Sequence, residues 1–552
     1  VWLIAPIVMK RNYSKILLDL ISKKILDLKS MEKNDMEELF RDKVIREQLI
    51  NTFRTTQGRE SLWYAGLMKS LAVEELDANI LRMLKDQDDQ TRIGLLALLT
   101  AAPESEAAAV FSDLTDHQKP PLMAAIITAA NRMELEYSLQ INQEAYEKAD
   151  TPDVRGLSMA GLYRHDPAKY RKRIDTWLDS TLMDERLTGV IAAGASGEAR
   201  FVDTLKVHLA EKENQPIADR IIESLHRLGA PYINSLVEPF LDHERETVRR
   251  SALAAFDIHD EVRLRRVVAM LGDLSEEIHE LAKEKIKTTD YQNGQVLIES
   301  LNIPRRKIRE GVFDLLEALN IGDIDAYRFA RTQLGESYAY LMAVQYIKTF
   351  PASEARDLLT DHLEQKSRLE LENVLRVLAL QDKSGQMNFI WRVLFSSVSG
   401  QRANSMEALD DLLDRSLTKI LLPVLGGASL SEKAAVGRKN FKLQGFGKGK
   451  ENYLSWLIGK KKRLSLVLLL NLLAHEGPDK EDIEAVAELE ASAEDTVRKS
   501  ARQVLIKAGQ YPMQKENVMT AEVVITDKIL LLKKIEMFEG LTVSELAAVG
   551  SV

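Results

Sequence analysis

One phrase recurs along this chain at a nearly constant interval: an acidic or capping start, a residue that is apolar in seven of nine copies followed by a second residue (Arg in six of nine), then apolar positions spaced as one helix face. Val248-Arg249 leading to Ala252, Leu253 and Phe256 is the clearest early copy. Others are Thr91-Arg92, Leu122-Met123, Val154-Arg155, Glu185-Arg186, Ile217-Ala218, Ile278-His279 and Ile308-Arg309. Their second residues stand at 92, 123, 155, 186, 218, 249, 279 and 309, so the gaps are 31, 32, 31, 32, 31, 30 and 30. Continuing the count reaches apolar stretches near Tyr340, Glu372, Arg402, Ala435 and Ser465, then a clear copy at Val497-Arg498 with Ala501 and Leu505. A period of about 31 residues accommodates two short helices and their turns. Neither helix buries its apolar stripe alone, so neighbouring pairs must stack.

Turn residues fit the same division. Asp86 to Asp89, Asp150-Thr151-Pro152, Ser275-Glu276-Glu277 and Asp495-Thr496 offer cap oxygens, a first-turn Pro and negative charge at the positive end of the helix dipole. Gly194, Gly229 and Gly509 are expected at left-handed helix ends. The recurring Arg, one turn into its helix, is expected to pair with the acidic caps of its own or the next repeat. The predicted fold class is therefore all-α, an α-solenoid of helix pairs.

Asp153-Val154-Arg155 and Asp495-Thr496-Val497-Arg498-Lys499-Ser500-Ala501 resemble the second helix of HEAT repeats, particularly the short-period kind of phycobilisome-lyase-type proteins. The resemblance covers roughly 60–509. The ankyrin phrase Thr-Pro-Leu-His and the spaced Trp, Leu-Gly and Tyr of tetratricopeptide repeats are absent.

The ends read differently. Residues Val1 to Met9 are uncharged and apolar, and Lys10-Arg11 follow. Nine residues cannot span a bilayer, which takes about 20. Residues 1–11 read either as the end of a transmembrane helix, with the cations marking its cytosolic side, or as a buried cap. Residues 12–59 read as a helical connector. The stretch from Lys10 to Leu17 and on through Lys23-Lys24-Ile25-Leu26-Asp27 is similar to the segment behind the last membrane helix of bacterial ATP/ADP-antiporter-type transporters, some of which carry HEAT repeats there. No substrate-binding residue of such a transporter falls within this chain. After a linker at 510–526, the run Asp527 to Thr542 resembles the lead-in to a cyclic nucleotide-binding domain, with Thr542 and Glu545 forming a capping box. Only the start of that domain, 527–552, is present, so cyclic nucleotide binding is expected only of a longer chain.

Residues with the spacing of a chemical site are sparse in this chain. The chain has no cysteine, which excludes thiolate metal sites and Cys nucleophiles. A net charge of −9 argues against general nucleic-acid binding. His243-Glu244, His279-Glu280 and His475-Glu476 invite comparison with HEAT-like deoxyhypusine hydroxylases, which bind iron through such pairs. Their offsets from the register differ, however, so the side chains are not expected to converge. Gly445 to Lys450 lacks the spacing of a phosphate loop. No catalytic, cofactor-binding or metal residue is assigned, and no cofactor is expected.

The strongest charge feature is a basic insertion at 438–463. Arg438, Lys439, Lys442, Lys448, Lys450, Lys460, Lys461, Lys462 and Arg463 stand there against one acid, Glu451, with Phe441, Phe446, Tyr453 and Trp456 among them. These nine are candidate contacts to an anionic membrane surface; a solvated loop or partner-binding insertion is the alternative.

Together these features predict a non-enzymatic scaffold that binds proteins. It would be the regulatory region of a nucleotide-transporter-like membrane protein on the cytoplasmic side of the inner membrane, coupled to a cyclic nucleotide sensor. A free cytoplasmic HEAT-repeat adaptor is the alternative, and a HEAT-like metal-dependent hydroxylase a remote one.

Overall fold

In the first half of the chain each phrase of the register opens a helix, and the local chemistry shows why. Asp88 accepts from the Thr91 amide and Ser275 from that of Ile278, each satisfying a donor left over at a helix start. Pro152 stands at the first position of its helix, where no amide hydrogen is needed. Gly197, Gly229 and Gly509 take positive φ at helix ends.

The computed structural model describes residues 43–115, 119–134, 136–303, 305–319, 324–382, 384–395, 402–443, 453–459, 463–478, 480–510, 525–538 and 540–550. All regular structure among them is helical, and none of their helices is long and apolar enough to cross a membrane. The apolar start at 1–11 lies outside the described residues. The chain divides into two units after Gln292.

The first unit contains α1 (Lys43–Thr55), α2 (Arg59–Ser70), α3 (Leu76–Met83), α4 (Asp89–Leu98), α5 (Glu104–Thr115), α6 (Pro120–Arg132), α7 (Ser138–Lys148) and α8 (Pro152–His165). It continues with α9 (Pro167–Leu178), α10 (Met183–Ser196), α11 (Val202–Ala210), α12 (Ala218–Arg227), α13 (Ile233–Val237), α14 (Glu246–Ala255), α15 (Glu261–Met270) and α16 (Glu276–Thr288). The even-numbered helices from α2 to α16 touch one another in chain order. Each buries a narrow stripe: in α14, Val248, Ala252 and Leu253 are fully enclosed. Burying a side chain of Val or Leu size contributes about 1.5–3 kcal/mol, and part of each stripe's cover comes from the neighbouring pair. Basic side chains also reach back to the preceding even helix. Arg132 donates to the Leu96 and Leu99 carbonyls, Arg164 to that of Asn131 and Lys285 to that of Ala254, capping helix ends that would otherwise lack partners.

Gly194 is not at a helix end as the sequence suggested; it is buried inside α10, and Gly197 makes the left-handed turn. Its role is close approach. A Cβ there would sit 2.7 Å from Ser224 Cα on α12, where Ser224 Oγ also donates to the Val190 carbonyl at 3.0 Å. Gly194→Ala is therefore expected to destabilise the first unit by about 2 kcal/mol, because overpacking outweighs the helix propensity gained. Gly66→Ala in α2, where a Cβ meets nothing within 4 Å, should instead stabilise by about 0.5–1 kcal/mol. Urea denaturation checks both; equal signs would refute the close-approach role.

The second unit contains α17 (Gly294–Ser300), α18 (Arg306–Leu319), α19 (Ala326–Ile347), α20 (Glu354–Gln381), α21 (Gln386–Phe395), α22 (Arg402–Leu412), α23 (Arg415–Leu425) and α24 (Leu430–Phe441). After these come α25 (Tyr453–Gly459), α26 (Arg463–Glu476), α27 (Lys480–Glu488), α28 (Asp495–Lys507), α29 (Ile525–Lys533) and α30 (Val543–Gly550). Here the pitch breaks. The extrapolated positions Tyr340 and Glu372 fall inside helices of 22 and 28 residues, too long for two to fit one period. The α19–α20 hairpin forms a spine: α19 packs on α23 and α24, and α20 on α26 and α30, so partners come from far along the sequence. The sequence expectation of one uniform array over 60–509 does not describe this unit.

Residues 527–550 share the apolar cluster of the second unit through Ile529, Val543, Leu546 and Ala547. Thr542 and Glu545 form the reciprocal capping bonds expected from their spacing, at 2.9 and 3.2 Å. Ion pairs join Lys533 to Asp361 and Lys534 to Glu354, and the Val543 amide donates to Gln365 of α20 at 2.8 Å.

Candidate functional site

The recurring Arg is tied into the fold more firmly than the sequence indicated. Arg155, Arg186, Arg249 and Arg498 each donate to the main-chain carbonyl six residues earlier, those of Ala149, Ser180, His243 and Ser492, at 2.7–3.0 Å. Each thereby latches the turn that precedes its own helix. The expected acidic partners are also present: Arg92 meets Asp89, Arg498 meets Asp495, and Arg249 forms a two-pronged bridge to Asp273 of the next repeat at 2.8 and 2.9 Å. Asp273 is only 8% exposed, and the bidentate contact holds the Arg249 guanidinium above its already high range. Arg356, outside the register extrapolated from the sequence, repeats the latch onto Phe350.

The basic insertion resolves into parts with different environments. Arg438 and Lys439 lie in the last turn of α24 and Lys442 just beyond it; all three side chains are exposed. Cations there are favoured by the helix dipole. A capping box between Ser429 and Glu432 starts this helix, and Gly437 seats it against Tyr338 of α19. Arg331 of α19 joins the group by spanning more than a hundred residues: its guanidinium lies 5.5 Å from the Phe441 ring centre and donates to the Asn440 carbonyl at 3.2 Å. Nothing in the sequence pattern associates Arg331 with residue 441.

Arg463 is not part of that group. It is held at the start of α28 by Glu494 at 3.0 Å and by the Thr496 hydroxyl. Lys448, Lys450, Lys460, Lys461 and Lys462 lie outside the described residues, as do Phe446 and the run Gly445 to Lys450. The aromatics that seemed available to a membrane face inward where they are described. Tyr453 is 3% exposed and stacks on Trp456, which meets Tyr340 edge-on; Phe441 packs on Tyr338. The apolar demand of α19 for cover explains their orientation.

The three His-Glu pairs do not converge on one point by shared position in the repeat. His243 precedes α14 and is used by its own turn, with Nε2 3.0 Å from Gln215 and Nδ1 accepting from the Arg245 amide. His279 is buried in the first turn of α16, with Nδ1 2.7 Å from the Leu271 carbonyl. His475 is exposed at the end of α26.

Comparison with known proteins adds little to this geometry. No protein-family model matches the chain, and no curated protein matches it. Among solved structures, the chain is similar to a crystallised engineered protein at 10% identity and a TM-score of 0.17, over 87% of this chain and 99% of that one, a likeness too low to bear on fold or function.

Proposed function

We propose that the chain is a non-enzymatic binding scaffold whose first unit is a HEAT-like α-solenoid. The observation that supports this reading is the in-order packing of α2 through α16, with Arg132, Arg164 and Lys285 each capping the helix before. Such stacking presents a continuous lateral surface on which a partner can lie across several repeats. Within the favoured reading the scaffold serves a membrane protein of the nucleotide-transporter type and is coupled to a cyclic nucleotide sensor. The phrases at Lys10 to Asp27 and Asp527 to Thr542 support that placement.

Arg331, Arg438, Lys439 and Lys442 would then touch anionic headgroups, each cation contributing about 1 kcal/mol near such a surface. Flotation with phosphatidylserine-containing vesicles is expected to lift the chain, and the quadruple Ala variant to reduce that recovery several-fold. Equal recovery with neutral vesicles would dispose of the headgroup contact.

The second reading is a free adaptor whose ends are caps. Fractionating cells that express the uninterrupted reading frame separates the two: recovery with membranes after a high-salt wash supports the tethered form, and recovery in the soluble fraction refutes it.

A further inference from the structure

We propose that Glu276, His279 and Glu280, in the first turns of α16, form a mononuclear site for a divalent transition-metal cation of the zinc type. The inference is independent of the scaffold reading. Residues three and four apart share a helix face, and the ligand atoms of these three lie within 4.8 Å of one another.

The imidazole is what distinguishes this group from an ordinary acidic surface. His279 is 6% exposed, and its Nδ1 is committed to the Leu271 carbonyl at 2.7 Å. That bond places the proton on Nδ1 and leaves the lone pair on Nε2. Nε2 has no hydrogen-bond donor among the described residues; its charged neighbour is Glu280 Oε1 at 4.0 Å. A metal-binding histidine is commonly oriented in this way, by a carbonyl on its other nitrogen. Both carboxylates are exposed, so rotamer changes can bring their oxygens to the bond lengths of about 2.0–2.2 Å that zinc requires. One nitrogen and two carboxylate oxygens match a borderline cation better than magnesium or calcium, which prefer oxygen alone. Two carboxylates also balance the dication's charge at a helix end whose dipole disfavours cations.

Lys283 is a competitor, its ammonium 3.1 Å from Glu280 Oε1. Its presence supplies an internal test. Zinc titrated into the full chain by calorimetry is expected to occupy one equivalent at this site. Glu276→Gln with Glu280→Gln, both at exposed positions, should weaken that binding on the order of a hundredfold with helicity by circular dichroism unchanged. Lys283→Met should tighten it several-fold. No uptake by the parent chain, uptake undiminished in the double variant, or an affinity that does not rise on removing Lys283 would each overturn the assignment.

Discussion

Arg249→Ala should remove about 3 kcal/mol from the first unit, the low end of what is lost when one partner of a largely buried ion pair is deleted. The side chain is 15% exposed and its partner Asp273 8%. Truncation takes both guanidinium bonds from the largely buried carboxylate of Asp273, leaving it the Ser275 amide at 2.9 Å, and also frees the His243 and Glu244 carbonyls that the same guanidinium holds at 2.9 Å. The adjacent Arg250 supplies the comparison. Its bridge to Glu277 is of similar length but joins side chains 42% and 61% exposed, so Arg250→Ala should cost under about 1 kcal/mol. Urea denaturation of the two variants, with Asp273→Asn completing a double-mutant cycle, reads both numbers and a coupling of about 2 kcal/mol. Equal losses for the two arginines would show that the register Arg is only a surface residue.

Acid should weaken the second unit in part through a buried histidine. His362 of α20 is completely buried, its Nε2 2.9 Å from Ser465 Oγ of α26. Burial pushes this imidazole down to about 3, and the charge of Lys366 acts in the same direction. Above pH 6.5 the ring is neutral in both folded and unfolded chains and contributes no pH dependence. Between 6.5 and about 3 the unfolded chain takes up a proton that the folded one refuses, so stability falls as pH falls, by about 1.4 kcal/mol per pH unit. His362→Gln keeps a donor for Ser465 and removes the titration. Measured by hydrogen exchange of α20 and α26 amides, the stability difference between parent and variant should shift by about 2–3 kcal/mol from pH 7 to pH 4.5. Parallel pH curves would rule out a titrating His362.

The sequence was informative where contacts are local. From residue 92 to residue 279 the register positions lie in α4 through α16, because each apolar stripe is covered by the neighbour one period away. At α19 the rule loses its basis. Tyr338, Tyr340, Leu341, Met342 and Ala343 are all buried, so the second half of the helix is enclosed on every side and its sequence there has no preferred face to count. The phrase reappears at Arg356, 47 residues after Arg309, a gap that a fixed period of 31 steps over. The basic group was half legible: Arg438, Lys439 and Lys442 adjoin in sequence, whereas Arg331 reaches them only through the packing of α19 on α24. Arg463, adjacent by count, is drawn away by Glu494. The cation site proposed at α16 needed a structural fact, the Leu271 carbonyl that fixes the tautomer of His279; the spacing of Glu276, His279 and Glu280 alone could not supply it.

The bond from four of the register arginines, Arg155, Arg186, Arg249 and Arg498, to the carbonyl six positions back has a bearing on how this chain acquires its shape. Closing so small a ring forfeits little chain entropy, and contacts of low sequence separation form early. As the polypeptide leaves the ribosome, a bend such as that between Ser180 and Arg186 can set before the following helix has been synthesised. Each segment then meets its successor with the angle between its helices already fixed, and the spine around α19, whose partners are made much later, becomes the slow step.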